Sequence, residues 1–356
     1  MARNLLVTGG AGFIGSNFIH YWMEEFPEDK VVNYDKLTYA GNLESLEALK
    51  DNPNYSFVKG DITDYDLVEK TVKENKIDLI VHFAAETHVD RSIEGPAVFI
   101  ETNVIGTQVL LDVAKNNGNI RFHHISTDEV YGHLPLLTEE QKAMPQEKLL
   151  SNRNLYFAEN SQYDPRSPYS ASKAGSDHLV NAYHHTYGLP VTVSNCSNNY
   201  GPFEHAEKLI PLVISRALND QQIPVYGDGM QVRDWIHVRD HNRGVRLIIE
   251  KGKVGETYVL GGNGERHNID MVKAILDLLD KPHDLITHVG DRKGHDRRYA
   301  VDFRKAKNEL GFEPEKPLEE WLQETVKWYV DNKWWWEPHK TEADKIAEKY
   351  LANPLD

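Results

Sequence analysis

The chain has 356 residues, 40 Lys+Arg against 55 Asp+Glu, a formal charge of −15, and 40 % hydrophobic and 27 % charged residues. That apolar content excludes a disordered chain, and the acidic balance argues against a nucleic-acid binder, whose footprint is a basic patch. The single cysteine, Cys196, excludes an internal disulfide framework and a multi-cysteine zinc site, and no unbroken apolar run approaches the ~20 residues of a membrane span, so the composition points to a cytoplasmic protein.

The start, Met1–Thr8, reads as a buried strand running into glycines, not as a signal peptide. Strands are expected at Asn4–Thr8, Val31–Tyr34, Tyr55–Val58, Asp78–Phe83 and Arg121–Ser126. Between the first two, Phe13, Ile14, Phe18, Ile19, Trp22, Met23 and Phe26 are spaced as one face of a helix. Strands alternating with helices imply right-handed βαβ units. The fold class is therefore α/β, a doubly wound parallel sheet of Rossmann type with a second, smaller α/β substrate lobe.

The first strand–helix turn is Gly9-Gly10-Ala11-Gly12-Phe13-Ile14-Gly15. Glycines at 9, 12 and 15 allow a tight turn, close approach to a pyrophosphate and close helix–strand packing. Asp35 ends the second strand, where an acid binds ribose hydroxyls and repels a 2′-phosphate, favouring NAD. Lys36 complicates this, since a base there can approach a 2′-phosphate. Asp61-Ile62 reads either as an adenine contact or as a helix cap at a strand exit.

The segment Ala97–Ala114 is apolar on more than one face. One side packs the sheet; the other is either covered by local loops or paired with a second subunit. Thr127-Asp128-Glu129 follows the fifth strand. Such a triplet is either a helix start or, at the carboxyl edge of the sheet, a pair of acids in one cleft, one keeping its proton. Residues 132–167 read as a long loop with one short helix near Glu139–Leu149. A helix over Pro168–Tyr187 carries Tyr169 and Lys173 on one face, where the ammonium is expected to lower the phenol's pKa and make it a usable base.

Beyond a strand at Val191–Asn195, helices are expected at Ala206–Asn219, Val238–Lys251, Ile269–Leu279 and Leu318–Asn332, and strands at Ile223–Tyr226 and Glu256–Leu260. Residues 1–190 are read as the dinucleotide-binding domain, with 226–253 and 301–310 returning to it. Residues 191–356 are read mainly as the substrate-binding lobe and tail. The tail is helical over Glu342–Leu351, and Trp334-Trp335-Trp336 reads as core-edge packing. His88, His123 and His124 lack the spaced carboxylates of a metal site, so no metal is expected.

Taken together, these motifs resemble the extended short-chain dehydrogenase/reductases, over roughly Asn4–Trp336. The Thr127-Asp128-Glu129 triplet is similar to that of the nucleotide-sugar 4,6-dehydratases, above all those acting on dTDP-glucose. The stretches 35–42, 84–92, 196–202, 232–235 and 294–299 point the same way. The resemblance implies tightly bound NAD, regenerated each turnover, held by Gly9, Gly12, Phe13, Ile14, Gly15, Asp35, Lys36, Thr38, Gly41, Asp61, Ile62, Ala84, Ala85, Thr102, Tyr169 and Lys173. It implies that Tyr169 takes the C4 hydroxyl proton, Thr127 binds the C4 oxygen, Lys173 tunes Tyr169, Glu129 removes the C5 proton and Asp128 protonates the departing C6 hydroxyl. It further implies substrate contacts from Thr87, His88, Asn198, Lys208, Leu209, Pro224, Tyr226, Arg233, Asn268, Arg292, His295 and Tyr299, and a homodimer. Thr87 stands where the family more often has Ser, and the long 132–167 loop is the expected place for a difference in nucleotide or sugar preference. The alternatives are an epimerase or decarboxylase on the same fold, the same dehydration of UDP-glucose, or a non-catalytic NAD-binding protein.

Overall fold

The computed structural model describes residues 2–291, 294–352 and 354–355. Apolar runs form a parallel main sheet from β1 (Asn4–Thr8), β2 (Lys30–Asp35), β3 (Tyr55–Lys59), β4 (Leu79–His82), β5 (Arg121–Thr127), β6 (Val191–Cys196) and, from further along the chain, β10 (Thr257–Leu260). Its order is β10-β6-β5-β4-β1-β2-β3, so the chain steps outward from β1 in both directions. That reversal opens a crevice at the carboxyl edge, beside β1. The sheet takes in β6 and β10, both beyond the boundary expected at residue 190.

Helices cover both faces. On one, α1 (Phe13–Glu25) packs α6 (Val238–Lys251) over Phe18, Trp22, Val31 and Ile248. On the other, α2 (Tyr65–Asn75), α3 (Pro96–Asn116) and α4 (Pro168–Tyr187) pack over Leu6, Ile80, Leu110 and Val180. Each of these side chains is fully buried and contributes about 1.5–3 kcal/mol of transfer free energy. By length and composition α3 is apolar enough to cross a membrane, although Glu101 and Asp112 break its apolar run. Here one side of it packs α4. Its middle, Ile100–Gly106, widens into a π-helical stretch, a distortion often found at functional sites.

The second lobe is built on α5 (Leu209–Leu218), α7 (Asn268–Leu278) and the helix Leu318–Asp331 around a separate apolar cluster. Two small sheets join it: β11 (Glu265–His267), β9 (Val232–His237) and β7 (Asn198–Tyr200) in that order, and β12 (Ile286–Val289) beside β8 (Ile223–Tyr226). Residues 232–235 are part of the wholly buried β9. Arg233 tolerates burial because it donates to the Val232 and Asp296 carbonyls and lies over the Tyr299 ring. The single helix expected near Glu139–Leu149 is two, Glu139–Lys142 and Gln146–Leu150, because Pro145 cannot continue the first. Trp335 and Trp336 are buried in the second lobe's cluster, and Trp334 is exposed.

The tail has a definite place. A final helix, here α8 (Lys340–Leu351), lies against β8 and β12. The buried Arg216 guanidinium reaches from α5 to Asp344 at 3.0 Å and Glu348 at 2.6 Å.

Candidate active site

A cleft of ≈ 460 Å³ runs from the carboxyl edge of the main sheet into the second lobe. At one end Gly9 turns the chain with φ +70°, and a Cβ there would sit 2.5 Å from the Ala84 backbone nitrogen. A Cβ on Gly15 would sit 2.3 Å from the Gly9 carbonyl oxygen. Gly12 is different: a Cβ there meets only the Gly9 oxygen, at 3.3 Å, so its side faces the cleft at the start of α1. A diphosphate fits that cradle, against amide N–H groups and the positive end of the helix dipole.

The buried Asp35 accepts from the Ala11 amide at 2.9 Å on one oxygen and from the Leu37 amide at 2.8 Å on the other. Each oxygen keeps a lone pair for a ribose hydroxyl. Lys36 pairs with Asp61 at 2.5 Å, which ties its ammonium to a carboxylate and removes the complication it posed. Ile62, Ala84, Ala85 and, from the π-helical stretch, Thr102 line the same end. These residues fit an adenine dinucleotide without a 2′-phosphate.

The reactive centre lies where β5 ends. Thr127 caps the short 3₁₀ turn Asp128–Tyr131, its hydroxyl accepting from the Glu129 amide at 3.3 Å. The two carboxylates diverge there, because successive residues of a 3₁₀ turn point about a third of a turn apart. Glu129 lines the cleft, whereas Asp128 is buried just behind its wall, short of the shared cleft expected for the pair. Burial, then the neighbouring Glu129 and Asp234, holds the Asp128 carboxyl well above the usual range, which favours its protonated form.

Opposite, Ser167 caps α4 in a reciprocal capping box with Ser170, and Pro168 sets its first turn. This presents Tyr169 and Lys173 to the cleft. The expected depression of the Tyr169 pKa is not found. Burial and the nearby Glu129, Cys196, Asp128 and Asp177 push it well up. Lys173 directs its ammonium 2.7 Å from the Ile125 carbonyl oxygen.

The second lobe supplies the other end. Thr87, His88, Asn198, Lys208, Leu209, Pro224, Tyr226, Arg233, Asn268, His295 and Tyr299 all line the cleft. The side-chain oxygens of Asn198 and Asn268 are buried without a hydrogen-bond partner among the described residues, as groups awaiting a ligand would be. The expected Arg292 lies outside the described residues.

Sequence reasoning missed two parts of the wall. Glu207, beside Lys208, pairs with Arg91 at 2.6 Å and His88 at 3.4 Å. The tail helix α8 contributes Ile346, Ala347 and Tyr350, and the Tyr350 ring meets Tyr226 edge-on at 4.9 Å. The i, i+1, i+4 spacing of those three residues was the available signal. Residues 132–167 contribute nothing to the lining. They pack instead around Leu134, Leu149, Leu155 and Phe157.

Because Arg216 holds α8 on the cleft, Arg216→Ala should detach it. We expect KM to rise roughly tenfold, equivalent to about 1.4 kcal/mol of binding, with kcat changed less. Initial-rate kinetics on the holoenzyme check this, and an unchanged KM refutes it.

The profile of the family described as GDP-mannose 4,6 dehydratase matches residues 6–325. The dTDP-glucose 4,6-dehydratase of Escherichia coli is 51 % identical over 95 % of this chain and 96 % of its own. The structure of the Bacillus anthracis dTDP-glucose 4,6-dehydratase in complex with NAD superposes with a TM-score of 0.85 at 46 % identity, covering 95 % of this chain and all of that one. The enzyme from Streptomyces venezuelae, solved with NAD and dTDP, gives 0.87 at 45 % identity over 95 % of this chain and all of its own. With the Glu129 carboxylate, a Tyr–Lys pair and a dinucleotide cradle meeting in one cleft, the chain belongs to the nucleotide-sugar 4,6-dehydratases, alongside those that act on dTDP-glucose.

Proposed function

We propose that this chain dehydrates dTDP-glucose to its 4-keto-6-deoxy product, releasing water. One observation carries the reading: a buried acid, Asp128, whose protonated form burial favours, adjoins a cleft-facing carboxylate, Glu129, across from Tyr169. An epimerase eliminates no water and leaves that acid pair without a task.

Tyr169, as the phenolate that the Lys173 ammonium and the positive charge of bound NAD favour, accepts the C4 hydroxyl proton, and the Thr127 hydroxyl holds the C4 oxygen. The C4 ketone then makes the C5 proton acidic, and Glu129 removes it. The electron pair left at C5 forms the C5–C6 double bond as the C6–O bond breaks and the C6 hydroxyl departs as water with the proton of Asp128. Bound NAD supplies a hydride acceptor for C4, a hydride donor for C6 and, in its oxidised form, a positive charge in the cleft. C5 regains a proton, so the sugar loses one water with no net redox change. Lys208, Arg233, Asn198, Asn268 and His295 are assigned to the nucleoside diphosphate, where a buried guanidinium suits phosphate oxygens. In this division the main sheet holds the cofactor and the second lobe the nucleotide.

The homodimer belongs to the same reading. Ile93, Val98, Ile100 and Ile105, on or beside α3, are 42–47 % exposed, an apolar face suited to a second copy. Sedimentation of the purified chain should give a dimer. A cytoplasmic location is also part of this reading, since a lone buried cysteine leaves no disulfide to form within the chain.

The test is product analysis over dTDP-, UDP-, GDP- and CDP-glucose. A 4-keto-6-deoxy product from dTDP-glucose, without net reduced cofactor, is expected. An intact C6 hydroxyl supports an epimerase, loss of C6 as carbon dioxide supports a decarboxylase, and no product from any of the four overturns the reading.

A further inference from the structure

Helix α4 carries a third polar residue on the stripe that presents Tyr169 and Lys173. Asp177 lies one turn beyond Lys173, and exposure falls along the stripe from 8 % at Tyr169 to 4 % at Lys173 and 0 % at Asp177. None of the steps above uses it. A carboxylate buried so deeply persists only if its charge is matched.

The matching is present. One oxygen of Asp177 lies 3.1 Å from His124 Nε2. The other accepts from the Ser126 hydroxyl at 2.8 Å, the Tyr163 hydroxyl at 3.0 Å and the Asn195 amide at 3.3 Å. These donors come from β5, the 132–167 segment and β6, so three separate parts of the chain converge on one carboxylate. Burial would push the Asp177 carboxyl up, but the hydrogen bonds and Lys173 more than offset it, leaving it below the usual range.

The groups facing Lys173 otherwise offer no charge. His82 on β4 and His124 on β5 are held neutral by burial. Cys196 on β6 is a thiol, its pKa pushed up by burial to about 12. Tyr131 and Tyr163 are both raised by burial and so keep their protons. Burial brings Lys173 itself down to about 8, with Asp177 opposing that fall.

We propose that Asp177 is the buried counter-ion that keeps Lys173 positively charged, and that through Lys173 it prepares Tyr169 to accept the C4 hydroxyl proton. Asp177 is a positioning residue, remote from the sugar. It rests on the dehydratase reading only for the consequence at Tyr169; the effect on Lys173 stands apart from it.

The experiment titrates Lys173 directly, by carbon NMR of the ε-labelled holoenzyme, with Lys173→Arg assigning the resonance. Asp177→Asn and the smaller Asp177→Ser remove the charge, and Asp177→Glu keeps it. Without the anion the ammonium is less stable, so its midpoint should move to lower pH. Both neutral variants should lower it by about one unit or more, a tenfold change in proton affinity, and Asp177→Glu should leave it within a few tenths. The alkaline limb of the turnover profile should move with the NMR midpoint. A midpoint unmoved in the neutral variants overturns the proposal, as does an equal shift in Asp177→Glu. Failure of both neutral variants to fold also overturns it, because the anion would then serve the fold. A moved midpoint in the neutral variants, with no dehydration of any nucleotide sugar by the parent enzyme, upholds the counter-ion and refutes the dehydratase reading alone.

Discussion

Glu129→Gln should lower turnover by about 10²–10⁴-fold, the usual contribution of a positioned base, while leaving the first redox step intact. The carboxylate lines the cleft next to Thr127, and its amide hydrogen has already gone to the Thr127 hydroxyl. A glutamine there keeps the volume and hydrogen bonding but cannot take the C5 proton. The same change has a second effect of opposite sign. After burial, Glu129 is the largest cause of the raised Tyr169 pKa, and it also raises Asp128. Removing its charge therefore lowers the Tyr169 pKa and favours the phenolate form that accepts the C4 proton. Mixing the variant with dTDP-glucose should produce reduced cofactor, seen in its near-ultraviolet absorbance, that is not reoxidised. Exchange of the C5 proton with solvent should be lost. Turnover within a few-fold of the parent, or no reduced cofactor, removes Glu129 from the role of base.

The parts of this site legible in the sequence were those set by local geometry. Gly9, Gly12, Gly15 and Asp35 announce themselves because a tight strand–helix turn and a strand-end acid need particular residues at fixed spacing. Tyr169 and Lys173 follow from the helical repeat. What stayed hidden depends on contacts between distant segments. Strand β9 reads Val232-Arg233-Asp234-Trp235, and two charges in mid-strand conceal its burial until Asp296, Tyr299 and Gly264 arrive to satisfy them. The tail's place on the cleft is decided by Arg216, more than a hundred residues earlier. Asp128 and Glu129 were legible as a pair but not as one buried and one facing the cleft, since that depends on the turn that follows β5. The direction of the Tyr169 shift was missed for a related reason. Spacing names the nearby cation, but not the burial and the four acidic groups that outweigh it.

That balance gives the second large effect. Tyr169→Phe should lower turnover by about 10²–10⁴-fold and, unlike Glu129→Gln, should yield no reduced cofactor on mixing with substrate. The phenylalanine ring keeps the edge-on contact with Phe99, whose centroid lies 6.3 Å away, so the helix and the cleft wall should survive. Only the oxygen that receives the C4 proton is lost. Without it, hydride would have to leave a carbon whose hydroxyl keeps its proton, and the resulting protonated ketone is far less stable than the ketone itself. Lys173 is spent on the Ile125 carbonyl, and the Thr127 hydroxyl can donate a hydrogen bond but is no base at physiological pH. Stopped-flow absorbance on the NAD-loaded variant, with bound cofactor measured separately, is the check. Normal NAD content with no reduced cofactor assigns the proton to Tyr169; reduced cofactor formed at the parent rate would require another acceptor.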